Sequence, residues 1–346
     1  LSSFNAADLA LINPFLSTAQ KASNQGLMGC GVTVSNPLFH RARLLACSVG
    51  VAMCLLLLPA QAMVVELTTT FEEPVSVYGG RTMMVEEITA TWCPSCAEID
   101  PQLEQVADSH GSRLALVALH PSDGEDAFQP EASQYRIDRL RRSNSDAGIS
   151  TPTFLVEGGE ERQGYDAWGE VQRDILDTEL KRQNTSTLSF EVVATAQGYR
   201  ASVLDLDLGN QSSSQLTFML LEHDKPMPEG AVNPGGSTRD RVLVGIAECT
   251  LNNDTISAVR GAINATSGTS CSSEFSFEFD SMESWSVILV HEDATSSIEP
   301  DQVLSTYGAI EMAHRDRGEE TSTSPYGWAL VLSCLVLATA SIVRKK

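Results

Sequence analysis

Thr82-Met83-Met84-Val85-Glu86-Glu87-Ile88-Thr89, closely followed by Trp92-Cys93-Pro94-Ser95-Cys96, is the stretch that decides how this chain is read. Its first part is rich in β-favouring residues and predicts a strand. Beyond the cysteines, Ile99, Leu103 and Val106 recur at helical spacing and Gly111 supplies a stop, so a helix is expected to open at the pair. Pro101 falls inside that helix and is expected to kink it. Two cysteines separated by two residues at a helix start can close a small disulfide ring or hold a thiolate. Unpaired backbone N–H groups and the helix dipole favour the ionised sulfur there.

These residues resemble the thioredoxin superfamily, whose site reads W-C-x-x-C-x4-P. In that family an acid six residues before the first cysteine is buried beneath the site, and Glu87 holds that position. A second landmark is a cis-proline facing the cysteines, matched here by Thr151-Pro152 ahead of Thr153-Phe154-Leu155-Val156 and the Gly158-Gly159 turn. The resemblance covers Val65 to Gln183. It implies thiol–disulfide exchange without a cofactor, on protein disulfides. Cys93 would be the attacking and more exposed thiol, Cys96 the resolving one, and Glu87 the proton acceptor for Cys96. Trp92, Thr151 and Pro152 would lie on the substrate side. Many members assist the buried acid with a lysine, and none lies near it in this chain. Pro94-Ser95 does not settle the direction of electron transfer.

The chain has 346 residues, room for two ordinary domains and terminal segments. A net charge of −22 excludes generic binding of nucleic-acid backbones. Residues Leu1 to Phe39 show little periodicity, and Met28 is a plausible start. His40-Arg41-Ala42-Arg43, the apolar run Leu44 to Leu58 and Ala60-Gln61-Ala62 then have the layout of a signal peptide, with an uncleaved membrane helix as the alternative. At the other end, Tyr326 to Val343 is uncharged and precedes Arg344-Lys345-Lys346. That length spans ~27 Å at ~1.5 Å per residue, enough for one crossing with the basic tail inside. A sorting signal that is later cleaved has the same layout. The domains between are therefore expected outside the cell membrane, with a membrane or envelope redox partner.

Of the eight cysteines, Cys30, Cys47 and Cys54 fall in the leader region and Cys334 in the apolar run near the end. With the CxxC pair set aside Cys249 and Cys271 remain, and in an oxidising compartment they are expected to pair, two free thiols being the alternative. Around Asn184 the texture turns to β: Leu188, Phe190 and Val192 alternate with polar neighbours, as do Leu204, Leu206 and Leu208, then Phe275, Phe277 and Phe279. This predicts an antiparallel Ig-like sandwich. Asn184, Asn210, Asn253 and Asn264 each head a glycosylation sequon. The expected architecture is an α/β thioredoxin-like domain followed by an all-β Ig-like sandwich. Its parts are a leader over 1–62 with an h-region at 44–58, a thioredoxin-like domain over 63–183, a sandwich over 184–295, a stalk over 296–324, and a transmembrane helix with a short basic tail over 325–346.

Two further features invite a bland and a sharp reading. His120 ends the apolar strand Leu114–Leu119, where it is either solvated or within reach of the redox site. Arg136, Arg139, Arg141 and Arg142 read as a solvated helix face. No metal site is expected, since a lone CxxC supplies two ligands where a structural zinc wants four; copper with His120 is a minor alternative. The rival function is a cell-surface binding or adhesion protein whose sandwich is the working part and whose thioredoxin-like module is non-catalytic.

Overall fold

The computed structural model describes residues 63–65, 74–144, 147, 150–182, 186–209 and 212–315. The leader with its h-region, the segment 325–346, Asn184 and Asn210 lie outside the described residues. Among the described residues no helix is long and apolar enough to cross a membrane.

In chain order the first strands are β1 (Met63–Val65), β2 (Val75–Gly79), β3 (Met83–Ile88), β4 (Leu114–Leu119), β5 (Thr153–Val156) and β6 (Arg162–Gln163). Between them run helices α1 (Pro94–His110) and α2 (Glu131–Ser143), and α3 (Trp168–Lys181) follows. Next come β7 (Leu188–Ala194), β8 (Gly198–Val203), β9 (Ser214–Glu222), β10 (Lys225–Pro226), β11 (Thr238–Arg239) and β12 (Val242–Thr250). The last elements are β13 (Thr255–Gly261), β14 (Ile263–Thr266), the short α4 (Cys271–Glu274), β15 (Ser276–Asp280), β16 (Trp285–Asp293) and β17 (Thr306–His314).

The expected pair of self-contained folds is not what forms. One mixed sheet of ten strands runs β1-β17-β16-β9-β12-β4-β3-β5-β6, with β13 on β12. Among the described residues strand outweighs helix, 42% against 24%. The planned boundary at 183/184 falls inside this sheet. Its two halves meet where Ala118 of β4 pairs in parallel with Val242 of β12, and the Ala118 N–H donates to the Arg241 carbonyl at 2.9 Å. A free-standing first domain would have left that edge of β4 unpaired, and backbone donors do not stay unpaired in a protein interior. β2, assigned to the first domain, pairs instead with β7 in a second sheet of order β14-β15-β8-β7-β2.

The stretch read as a stalk is corrected too. It holds β17, paired antiparallel with β16 and parallel with β1, with Ala309, Ile310, Met312 and Ala313 buried. The Leu204 to Leu208 alternation forms no full strand; it contributes a single bridge between Thr187 and Asp207.

Side-chain parity defines three layers. Met84 and Ile88 of β3, Met219 and Leu221 of β9, and Ile288 and Val290 of β16 point to one face, where Ile137 and Leu140 of α2 cover them. Over β3, β4 and β5 the opposite face packs Met83, Val85, Leu116 and Phe154 against Ile99 and Leu103 of α1 and Val171 and Ile175 of α3. Over β9, β12 and β16 that same face meets the five-stranded sheet through Phe190, Phe218, Phe277 and Trp285. The separate Ig-like sandwich anticipated from alternation is therefore corrected: the sheet that packs on the five-stranded one continues through β4, β3, β5 and β6.

The arginines of α2 are not a solvated face. Arg136 and Arg139 are 2% and 1% exposed. Arg136 bonds Glu86 (Nε to Oε1, 2.6 Å) and Glu292 (Nη1 to Oε1, 2.8 Å), and Arg139 reaches Glu292 at 3.1 Å. Burial alone would raise the Glu292 carboxyl, but Arg136 and Arg139 outweigh it and hold it at about 2. Helical spacing made these arginines legible as one stripe; that a buried acid 156 positions on would face Arg136 was not.

Candidate active site

β3 is buried on all six residues, because α1 lies on one face and α2 on the other. Alternation sends Glu86 to the α2 side and Glu87 to the α1 side. After β3 the chain turns through Ala90 and Trp92, and Cys93 caps α1 with extended backbone. Pro94 follows at the first helical position, where its missing N–H costs nothing. The Cys93 sulfur accepts from the Cys96 N–H at 3.1 Å, and the two cysteines are disulfide-linked with Cα atoms 5.3 Å apart. Gly111 ends α1 at φ 56°.

The Thr151–Pro152 bond is cis, and Pro152 leads into β5, whose Thr153 stands opposite Ile88. That register brings the Thr151 carbonyl to 3.6 Å from the Cys93 sulfur. Ser95, passed over in the sequence, links the two: its hydroxyl is 3.3 Å from that sulfur and 3.5 Å from the same carbonyl. Trp92 donates from Nε1 to Asp123 at 3.0 Å, which fixes the indole on the rim. Cys93 is only 2% exposed and Cys96 fully buried, so the marked difference in exposure anticipated between them is absent from this disulfide form.

Glu87 is 3% exposed. Asp100 and Glu104 follow Cys96 at four-residue steps along α1, which places all three on one helix face. Glu87, Asp100, Glu104, His120, Arg239, Asp240 and Arg241 line a cavity of about 20 Å³. Burial, then Asp100, raises Glu87 well above the usual carboxylate range. Asp100 is pushed up to about 6 by burial, restrained by Arg239 and His120, and Glu104 to about 7, again chiefly by burial. Near neutral pH Asp100, at about 6, is thus the ionised and proton-accepting member of the pair, beside a Glu87 whose burial favours its neutral form.

No lysine serves this pair; a cation arrives from far along the chain. Arg239 of β11 stands 3.9 Å from Asp100 and donates to the Thr91 carbonyl at 3.4 Å and to Asn233 at 2.7 Å. The loop between β10 and β11 lies so close to α1 that a Cβ on Gly235 would come within 3.0 Å of the Ala97 methyl. Asp100 and Glu104 carried a signal in the sequence, their four-residue spacing from Cys96. Arg239 carried none.

Cys249 of β12 and Cys271 of α4 form a second disulfide with Cα atoms 5.7 Å apart. Asn253 and Asn264 are exposed, on the turn after β12 and on β14. Among the described residues no group of three or more His, Cys, Asp or Glu is placed to hold a metal ion. Asp240, His223 and Ser286 are linked at 2.5 and 2.6 Å in the order of a hydrolase triad, but Ser286 is fully buried within β16.

No family model matches the chain, and no curated protein matches it. A crystal structure of a structural-genomics target protein from Agrobacterium tumefaciens is similar over 66% of this chain and 93% of its own, at 10% identity and a TM-score of 0.43. A likeness of that degree assigns neither fold nor activity.

Proposed function

We propose that this chain is a thiol–disulfide oxidoreductase acting on disulfides of proteins outside the cytoplasm. One arrangement carries the reading: the Cys93 sulfur at the helix start, 3.1 Å from the Cys96 N–H and 3.6 Å from the Thr151 carbonyl, with a buried carboxyl, Glu87, on the preceding strand and its partner Asp100 one turn beyond Cys96 on the same helix. The reading rests on the site alone, not on any family's fold.

In the dithiol form the Cys93 thiolate attacks a substrate disulfide and expels one substrate thiolate, leaving a mixed disulfide. Cys96 then gives its proton to the carboxyl pair and attacks the Cys93 sulfur. The second substrate thiolate leaves and the internal disulfide closes, so two electrons pass to the substrate. The helix N-terminus stabilises the Cys93 thiolate. Thr151 and Pro152 border the sulfur where an extended substrate would lie, and Trp92 stands beside them. The uncharged run Tyr326 to Val343 is proposed to hold the chain at the membrane, where a redox partner renews it.

The test is capture. Cys96→Ser in the full chain is expected to accumulate mixed disulfides with exported proteins, seen as reductant-sensitive adducts, and Cys93→Ser to accumulate none. Equal adduct levels in the two variants, or none in either, would overturn the reading.

A further inference from the structure

The cavity that Glu87 and Asp100 line is also bordered by His120, which the exchange reaction above does not use. His120 directly follows β4 and is 1% exposed, with its ring edge-on to Phe128 at 5.1 Å. Its Nδ1 lies 2.8 Å from Asp126 Oδ2. Asp126 is itself buried and saturated: Oδ2 also accepts the Thr91 N–H at 2.8 Å, and Oδ1 accepts those of Phe128 and Gln129 at 2.8 and 3.2 Å. Burial would raise this carboxyl, but His120 and the backbone donors outweigh it and bring it below the usual range. An ionised acceptor opposite Nδ1 puts the imidazole proton on Nδ1 and leaves Nε2 with a free lone pair.

That Nε2 is buried without a protein partner, and so are Glu87 Oε1 and Asp100 Oδ1. All three residues line the same cavity. On this measure a water needs ~10–15 Å³ and two to four polar partners, so the space suits one bridging water. The other charged groups facing it are Glu104, Arg239, Asp240 and Arg241.

We propose that His120, held by Asp126, is the proton carrier of the redox site, passing protons through the cavity to and from the Glu87–Asp100 pair. This deepens the oxidoreductase reading and rests on it. Each closure of the internal disulfide delivers one proton from the Cys96 thiol to the pair. The free Nε2 takes that proton and becomes imidazolium, stabilised by Asp126, and the pair returns to its ionised state. When an external dithiol reopens the disulfide, the proton runs back to the Cys96 thiolate.

His120→Asn separates this role from a structural one, because the amide N–H still donates to Asp126 while nothing replaces Nε2. The full-length chain, reduced with dithiothreitol and desalted, is mixed rapidly with glutathione disulfide across pH 5 to 9 while tryptophan fluorescence is followed. The expected result is an unchanged bimolecular attack by Cys93, a resolution step slowed about tenfold or more, and loss of one inflection from its pH profile. A resolution rate within twofold of the parent at every pH overturns the role of His120 and leaves the redox reading standing. Failure of the parent dithiol to react at all overturns both. Should His120→Asn not fold, the unaltered protein still decides: its His120 Nε2 nitrogen resonance is expected to differ between disulfide and dithiol forms at fixed pH, and identical spectra overturn the proposal.

Discussion

Arg136 Nη1 on α2 lies 2.8 Å from Glu292 Oε1 on β16, tying a helix of the N-terminal half to a strand of the β-rich half inside the protein. Removing the cation leaves Glu86 as an uncompensated buried charge and Glu292 with Arg139 alone. Arg136→Ala is therefore expected to lower unfolding free energy by about 3–5 kcal/mol, read from the urea midpoint. Thr217 and Gln215, which also contact Glu292, do not carry the charge to replace it.

The junction between Ala118 and Val242 predicts how the chain divides. Residues 63–183 produced alone would expose the edge of β4 and strip α2 of Met219, Leu221 and Ile288. That fragment is expected to aggregate or to unfold without cooperativity, as judged by size exclusion and urea titration. The longer chain is expected to unfold in one transition.

Stability should depend on pH in two opposed ways. Asp100 and Glu104 are raised from 3.8 and 4.5 to about 6 and about 7, so their stabilising contribution is complete below the lower values and is lost as pH rises through the upper ones. Glu292 is lowered from 4.5 to about 2, so its contribution is present above 4.5 and is lost as pH falls towards 2. Denaturation midpoints are expected to peak near about pH 4–5 and decline on both sides. Asp100→Asn should flatten the decline between about pH 4 and 6 and leave the acid limb set by Glu292 unchanged.

The second disulfide closes a loop of sequence separation 22 at the edge of the layer holding β12. Replacing both Cys249 and Cys271 with serine is expected to cost about 3 kcal/mol in the chain-entropy model. Adduct formation at Cys93 should survive at temperatures where the variant stays folded.

The local pieces of the site were legible because each obeys a short-range rule. A strand of β-favouring residues, a helix opened by Cys93-Pro94 and closed by Gly111, and an X-Pro step before an apolar strand are all set within a few residues of themselves. Glu87 was legible as a buried acid only through a resemblance, and Ser95, Asp100 and Glu104 were passed over although they flank the motif. The burial of Arg136 and Arg139 was misread, because helical periodicity tells which residues share a face and not whether that face meets water or an acid.

What the amino-acid order determined unaided is the strand and helix on either side of the cysteines and the placing of two sulfurs at a helix start, since hydrophobic period, proline and glycine act through local backbone sterics. Which strands became neighbours was decided only in three dimensions. Alternation orients side chains but leaves the hydrogen-bonding edges of a strand unassigned, so nothing before folding told β4 that β12 would lie beside it. The same long-range pairing carried Arg239 to Asp100, and only that closure built a charged cavity against the helix that the CxxC motif opens.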